Sequence, residues 1–332
     1  MYKDDIKFSL WCDFVERSFL EGEFTELIDK KIINAATSNP AIFKSAFLSS
    51  SAYAEDKAAL KGRPAKEIYE ALAIQDVTLA ASKLLPSYEK NDDGFISIEV
   101  DPFLCDDAQK TIEEGKRLFK TIGYPNVMIK VPATQAGFVA MEALLSEGIN
   151  VNATLIFSIE QTHRCLEAFR KANDALKARN VHALPQAVIS IFVSRFDRKL
   201  DDALKAIDFP TGRVGVMNAL RCYAAIQHDA MPNVRALFAS TGVKGNALSP
   251  DYYIKELLVK NAINTAPLGT IYAFVADTRD NLVVEVRTDL IDNFFNALAA
   301  NGIAIESVCE ELMHEGLDAF KEAFTEILDA LK

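Results

Sequence analysis

Position 130 is a lysine set among apolar neighbours, with Met128 and Ile129 before it and Val131 and Pro132 after it. Burial in such company disfavours the ammonium and favours the neutral amine, a nucleophile able to attack a ketone. Imine chemistry needs that amine, a carboxyl group to shuttle protons, and a means of staging the water that is lost and regained. Carboxyl groups are offered by Asp13 and Glu99, and further polar side chains by Asn39, Thr154, Ser190 and Ser240. Arg195 and the stretch Ser240-Thr241-Gly242-Val243-Lys244-Gly245-Asn246 add cations, hydroxyls and glycines suited to an anion nest. Each residue also has a plainer reading. A lysine at a strand end commonly snorkels to water, as does an arginine; Glu99 then becomes its ion-pair partner, and Asp13 a structural or solvated acid. Asn39 before Pro40 reads as a turn or helix cap, Ser190 and Phe192 as packing, and 240–246 as a surface turn.

What separates these readings is where the elements put the residues. Eight β-rich runs occur along the chain, at 8–13, 34–39, 95–100, 126–131, 151–157, 187–193, 234–240 and 269–276, with helical stretches between them. Alternation of this kind signals repeated βα units and a parallel sheet, and eight strands favour closure into a (β/α)8 barrel, a TIM barrel of the α/β class. Side chains alternate along a strand. Ile96, Ile98 and Val100 therefore share one face and Ser97 and Glu99 the other; Val127, Ile129 and Val131 oppose Met128 and Lys130. The same sorting sets Val151, Ala153 and Leu155 against Asn152 and Thr154, and Ile189, Ile191 and Val193 against Ser190 and Phe192. With the branched aliphatic set facing the helices, the polar set converges inside the barrel. Glu99, Lys130, Thr154 and Ser190 come late in their runs, as do Asp13, Asn39 and Ser240, which places them at the C-terminal mouth where active sites of this fold lie.

Composition bounds the rest. Half of the 332 residues are hydrophobic and a quarter charged, enough apolar material for one large core, and without a linker-like tract residues 1–332 read as a single domain. A stretch from Ala304 to Leu331, with Val308, Leu312, Phe320, Phe324, Ile327 and Leu331 at helical spacing, predicts a final amphipathic helix packed outside the barrel. The net charge of −11 argues against nucleic acid and anionic membrane as partners, so an anionic substrate must be gripped locally. Cys12, Cys105, Cys165, Cys222 and Cys309 form no C-x-x-C pair and suggest neither disulfides nor zinc. The acidic N-terminus and the lack of a long apolar run point to a cytoplasmic protein.

The segments WCDF, ATSNPAIF, ISIEVD, VMIKVPAT, NATLIFS, VISIFVSR and FASTGVK, from Trp11 to Lys244, resemble the successive strand motifs of the transaldolase family in that family's order. The resemblance implies that Lys130 forms the Schiff base, that Asp13 is the general acid/base for C3–C4 cleavage, and that Glu99 and Thr154 position the water of imine formation and hydrolysis. It implies that Asn39 holds the hydroxyls of the dihydroxyacetone unit, that Ser190 and Phe192 line the site, and that Arg195 and Ser240 grip phosphate. At the seventh strand the commoner family pattern has an arginine two residues after the serine. Here Lys244 follows instead, as in a less common bacterial-type subfamily, giving a point charge where a bidentate fork is usual. The implied activity moves a three-carbon unit from sedoheptulose 7-phosphate or fructose 6-phosphate to glyceraldehyde 3-phosphate or erythrose 4-phosphate, in the non-oxidative pentose phosphate pathway. No metal or organic cofactor is implied, and the protein would be a monomer or homodimer. Three rivals stand beside it. A fructose-6-phosphate aldolase would release free dihydroxyacetone, but such enzymes differ at the positions of Glu99 and Phe192. A silent sugar-phosphate binder would keep Arg195 and Lys244 but need not retain Lys130, Asp13 and Glu99 together, and the complete set argues against it. A metal-dependent hydrolase is disfavoured because His163, His182, His228 and His314 fall on no proposed strand end.

Overall fold

Short runs of branched aliphatic residues, broken at every second position by a polar or interior-facing side chain, form eight parallel strands in a computed structural model that describes residues 4–277 and 282–332. They are β1 (Ser9–Cys12), β2 (Ala35–Thr37), β3 (Ile96–Glu99), β4 (Val127–Pro132), β5 (Asn150–Ile156), β6 (Ala187–Phe192), β7 (Val234–Ala239) and β8 (Ala262–Ala266). Each pairs with the next, and β1 pairs with β8 from Ser9 opposite Ile263 to Cys12 opposite Ala266, which closes the barrel. The α/β barrel expected from the sequence is therefore the observed fold.

Two apolar clusters express the alternation. One joins the outward faces of the strands, including Ile98, Ile129, Val131, Ile189 and Ile191, to the surrounding helices. The other takes in Trp11, Met128, Leu155, Phe192 and Leu237 of the barrel interior and extends to helix residues such as Leu200 and Leu298. Local signals set the joints. Thr134 caps the helix Gln135–Ser146 through the N–H of Gly137, and Ser158 with Gln161 makes a reciprocal capping box at the helix Ile159–Ala178.

Three expectations need correction. Residues 269–276 are not the eighth strand. That strand is 262–266, and Pro267 then opens the helix Leu268–Ala276. An unbroken apolar run gives no periodicity to tell a buried helix from a buried strand. Leu155 does not share the outward face of Val151 and Ala153. It has a φ of +57°, the β5–β6 register shifts between Ala153 and Ile156, and Leu155 turns into the barrel while Ile156 takes the outward position. The C-terminal helix Ile305–Ala330 exists as expected, but its packing is not confined to the outside of the barrel. Phe320 reaches the cavity beside Lys130, and the helix packs on β5 and on the helices Pro40–Ser49 and Ala65–Glu89. Among the described residues no helix is long and apolar enough to cross a membrane.

Candidate active site

Lys130 lies on the interior face of β4 and is only 5% exposed. Its Nζ donates to the Ser38 carbonyl at 3.2 Å and lies 3.7 Å from Glu99 Oε2. The register opposes Glu99 to Lys130 on neighbouring strands, so the two share an interior face by construction. A separation of 3.7 Å is an ion pair and too long for a good hydrogen bond; Glu99 Oε2 is buried with no hydrogen-bond partner. Burial pushes the Glu99 carboxyl up to about 7, against the pull of Lys130 and with a small push from Asp13.

Asp13 follows β1 directly, and its N–H donates to the Ala266 carbonyl of β8 at 2.9 Å. Its Oδ1 accepts from Thr37 Oγ1 at 2.7 Å, and the Thr37 and Thr265 hydroxyls are also 2.7 Å apart. A hydroxyl has one proton to give. With that of Thr37 directed to the Asp13 carboxylate, Thr265 donates in turn to Thr37, and the chain fixes the carboxylate. Burial raises the Asp13 carboxyl above its ordinary range, opposed first by Lys130 and then by Thr37.

On the opposite wall Ser190 Oγ donates to Asn152 Oδ1 at 2.6 Å, and Asn152 Nδ2 donates to Ser97 Oγ at 3.0 Å. This buried relay crosses β3, β5 and β6 and leaves acceptor capacity on Ser190 towards the cavity. Thr154, opposite Pro132 in the register, has a buried Oγ1 without a partner. Asn39 is a helix cap, as the plainer reading held. Its Oδ1 accepts from the Ile42 N–H at 3.0 Å. It nonetheless lies on the cavity wall.

The far end of the cavity is cationic. The helix Ser194–Ala206 begins just after β6, and its first residue is pinned to the residue following β7, with Ser194 N donating to Ser240 O at 3.0 Å and the two serine hydroxyls 3.0 Å apart. Ser240 adopts a φ of +55°, which turns the chain sharply at the mouth. Arg195 stacks over Phe192 at 5.2 Å. Burial, and then the charge of Arg198, pull its guanidinium below the ordinary range. Among the described residues no carboxylate lies within ion-pair distance of Arg195, Arg198 or the exposed Lys244. Unpaired cations beside a helix N-terminus form an anion site.

These groups surround a cavity of about 290 Å³. Of the ten residues singled out in the sequence, Asp13, Asn39, Lys130, Ser190, Phe192, Arg195, Ser240 and Lys244 line it; Glu99 and Thr154 do not. Glu99 stands behind the wall, touching the cavity only through Lys130, and borders a separate void of about 10 Å³. The sequence reading missed Thr37, Thr265, Arg198 and Phe320. Thr37 lies two residues before Asn39 on the same alternate face, and Arg198 is one helical turn after Arg195, so both had a readable signal. Thr265 was lost with the misplaced eighth strand. Nothing local marks Phe320. A larger cavity of about 400 Å³, lined by residues including Gln135, Arg164, Arg221 and Met313, contains no lysine.

The family described as transaldolase/fructose-6-phosphate aldolase matches residues 10–331. The chain is 50% identical over 335 residues to a transaldolase of Campylobacter jejuni subsp. doylei, covering 98% of this chain and 99% of that one. It is 46% identical over 325 residues to a transaldolase of Helicobacter pylori strain HPAG1, with the same coverage of each.

Proposed function

The chain belongs to the transaldolase/fructose-6-phosphate aldolase family, and we propose that within it the protein acts as a transaldolase, a single catalytic domain working in the cytoplasm on phosphorylated sugars. The donors are sedoheptulose 7-phosphate and fructose 6-phosphate; the acceptors are glyceraldehyde 3-phosphate and erythrose 4-phosphate of the non-oxidative pentose phosphate pathway. Lys130 adds to the C2 carbonyl of the ketose, and loss of water gives an iminium that draws electrons from the C3–C4 bond. Asp13 takes the proton of the C4 hydroxyl as that bond breaks, and the aldose phosphate departs. The remaining enamine attacks the aldehyde carbon of the acceptor, whose oxygen receives the proton back from Asp13. Glu99 and Thr154, whose buried oxygens lack protein partners, exchange protons and hydrogen bonds with the water of imine formation and hydrolysis. Asn39 and Ser190 hold hydroxyls of the three-carbon unit. Arg195, with Ser240 and Lys244, grips the phosphate, and placing a cation at one end and the amine at the other orients the ketose.

The observation that carries this reading is one buried amine, Lys130, 3.7 Å from a carboxylate that titrates near 7 and on the same cavity wall as Asp13. The test is product formation from fructose 6-phosphate with and without erythrose 4-phosphate, combined with borohydride trapping. A transaldolase makes ketose product only with the acceptor and yields a reduced dihydroxyacetone adduct on Lys130. Steady release of dihydroxyacetone without acceptor, at the rate of transfer, would make it an aldolase instead. An absent adduct, or one on a different lysine, removes the reading.

A further inference from the structure

The helix Ile305–Ala330 touches both ends of the site with one face. A Cβ on Gly316 would lie 3.2 Å from Arg195 Nη1 and 2.9 Å from a Leu155 methyl, so the helix passes directly against the cationic end, and a larger residue would press on the tips of both side chains. One turn later, Phe320 is 6% exposed and sets its ring centroid 5.9 Å from Lys130 Nζ. Every other described residue on the cavity wall comes from a strand end or from the segment directly after one; Phe320 alone arrives from an element outside the βα units. Its ring lies over the amine within the same cavity, whereas Phe192 is engaged with Arg195 and Phe157 at the other end.

An enamine held on Lys130 has two fates. It can attack the acceptor's aldehyde carbon, or it can take a proton at its nucleophilic carbon. Protonation regenerates an iminium, and water then adds to the iminium carbon and releases dihydroxyacetone and the free amine. The second fate consumes one water and no acceptor. Resting on the transaldolase reading, we propose that Phe320 is the positioning residue that chooses between them, its ring keeping solvent protons from the enamine until an acceptor occupies the cavity.

The full chain and its Phe320→Ala and Phe320→Leu variants separate this role from a structural one. With fructose 6-phosphate as donor, the ratio of dihydroxyacetone released without acceptor to ketose formed with erythrose 4-phosphate rises about tenfold in the alanine variant, and about threefold in the leucine variant, which keeps bulk but loses the flat ring. Borohydride still traps the adduct on Lys130 in both. Loss of helix packing alone would lower both rates together and leave the ratio at its wild-type value, an outcome that overturns the inference. Should the alanine variant fail to fold, the leucine variant decides by the same ratio. A wild-type chain with no adduct on Lys130 sinks the transaldolase reading; a normal adduct with an unmoved ratio sinks only the role of Phe320.

Discussion

Lys130 and Glu99 oppose each other across neighbouring strands in a barrel interior where neither can be solvated freely. Burial has moved the carboxyl up to about 7, where it can serve as acid or base at ordinary pH. Below that pH it is protonated and can give a proton to the hydroxyl that leaves as water when the imine forms. Above it, the carboxylate can take a proton from the water that hydrolyses the imine. The two half-reactions should therefore show opposite limbs sharing one midpoint near 7: imine formation, followed by rapid-quench borohydride trapping, slows as pH rises through it, and hydrolysis slows as pH falls through it. Glu99→Gln should remove both limbs and slow both steps by about 10²–10⁴, the ordinary range for a lost general acid or base. A limb near 7 that persists in that variant assigns the titration to another group.

At the scale of elements, alternation in the sequence located the interior faces of β3, β4 and β6, because a one-residue error would exchange the aliphatic and polar sets wholesale. It failed at β5 where the backbone, not the pattern, decides: the irregularity at Leu155 inverts the last positions, and a leucine carries no advance sign of a positive φ. It failed at β8 because Ala262–Ala266 is short and Leu268–Ala276 is the more apolar segment. It found the C-terminal helix but could not place Phe320, since amphipathicity shows that a face is buried without showing against what. The junction after β4 was equally silent, yet it positions the amine. Thr134 caps the next helix through Gly137, and a Cβ on Gly137 would fall 1.9 Å from the Pro132 carbonyl oxygen, a backbone atom that cannot step aside. Gly137→Ala must therefore move the helix or the end of β4, at a cost of about 1–3 kcal/mol for overpacking. Because Lys130 lies two residues before Pro132, imine trapping should slow in the folded variant, although no chemical group is altered. Unchanged stability and trapping would show that the junction yields without disturbing the strand.

The whole molecule separates its two mouths by electrostatics. The chain carries a net charge of −11, so on the proposed reading a phosphorylated sugar meets overall repulsion and depends on the cations left unpaired at the C-terminal mouth. At the N-terminal mouth the one arginine of the interior network is consumed. Asp93 accepts from Trp11 Nε1 at 2.8 Å and from Arg235 Nη1 at 2.6 Å, and Arg235 Nη2 reaches Ser9 Oγ at 3.1 Å and the Ala262 carbonyl at 3.2 Å. This knot ties β1, β7 and β8 to the segment entering β3, across the seam where the barrel closes. Asp93→Asn is the informative change, because asparagine tolerates the φ of +48° found there and keeps an acceptor while removing the charge. Arg235 would be left partly buried without its counter-ion, and the unfolding free energy should fall by about 3 kcal/mol, the low end for a broken buried pair, read from denaturant unfolding. In conditions where the variant remains folded, kcat/KM for fructose 6-phosphate should stay within about twofold of wild type, since the lower mouth serves stability and the proposed reaction belongs to the upper one. A KM that rises in step with the loss of stability would mean that strain at the closing seam is carried through the strands to Lys130 and Arg195, and that the two ends are not independent.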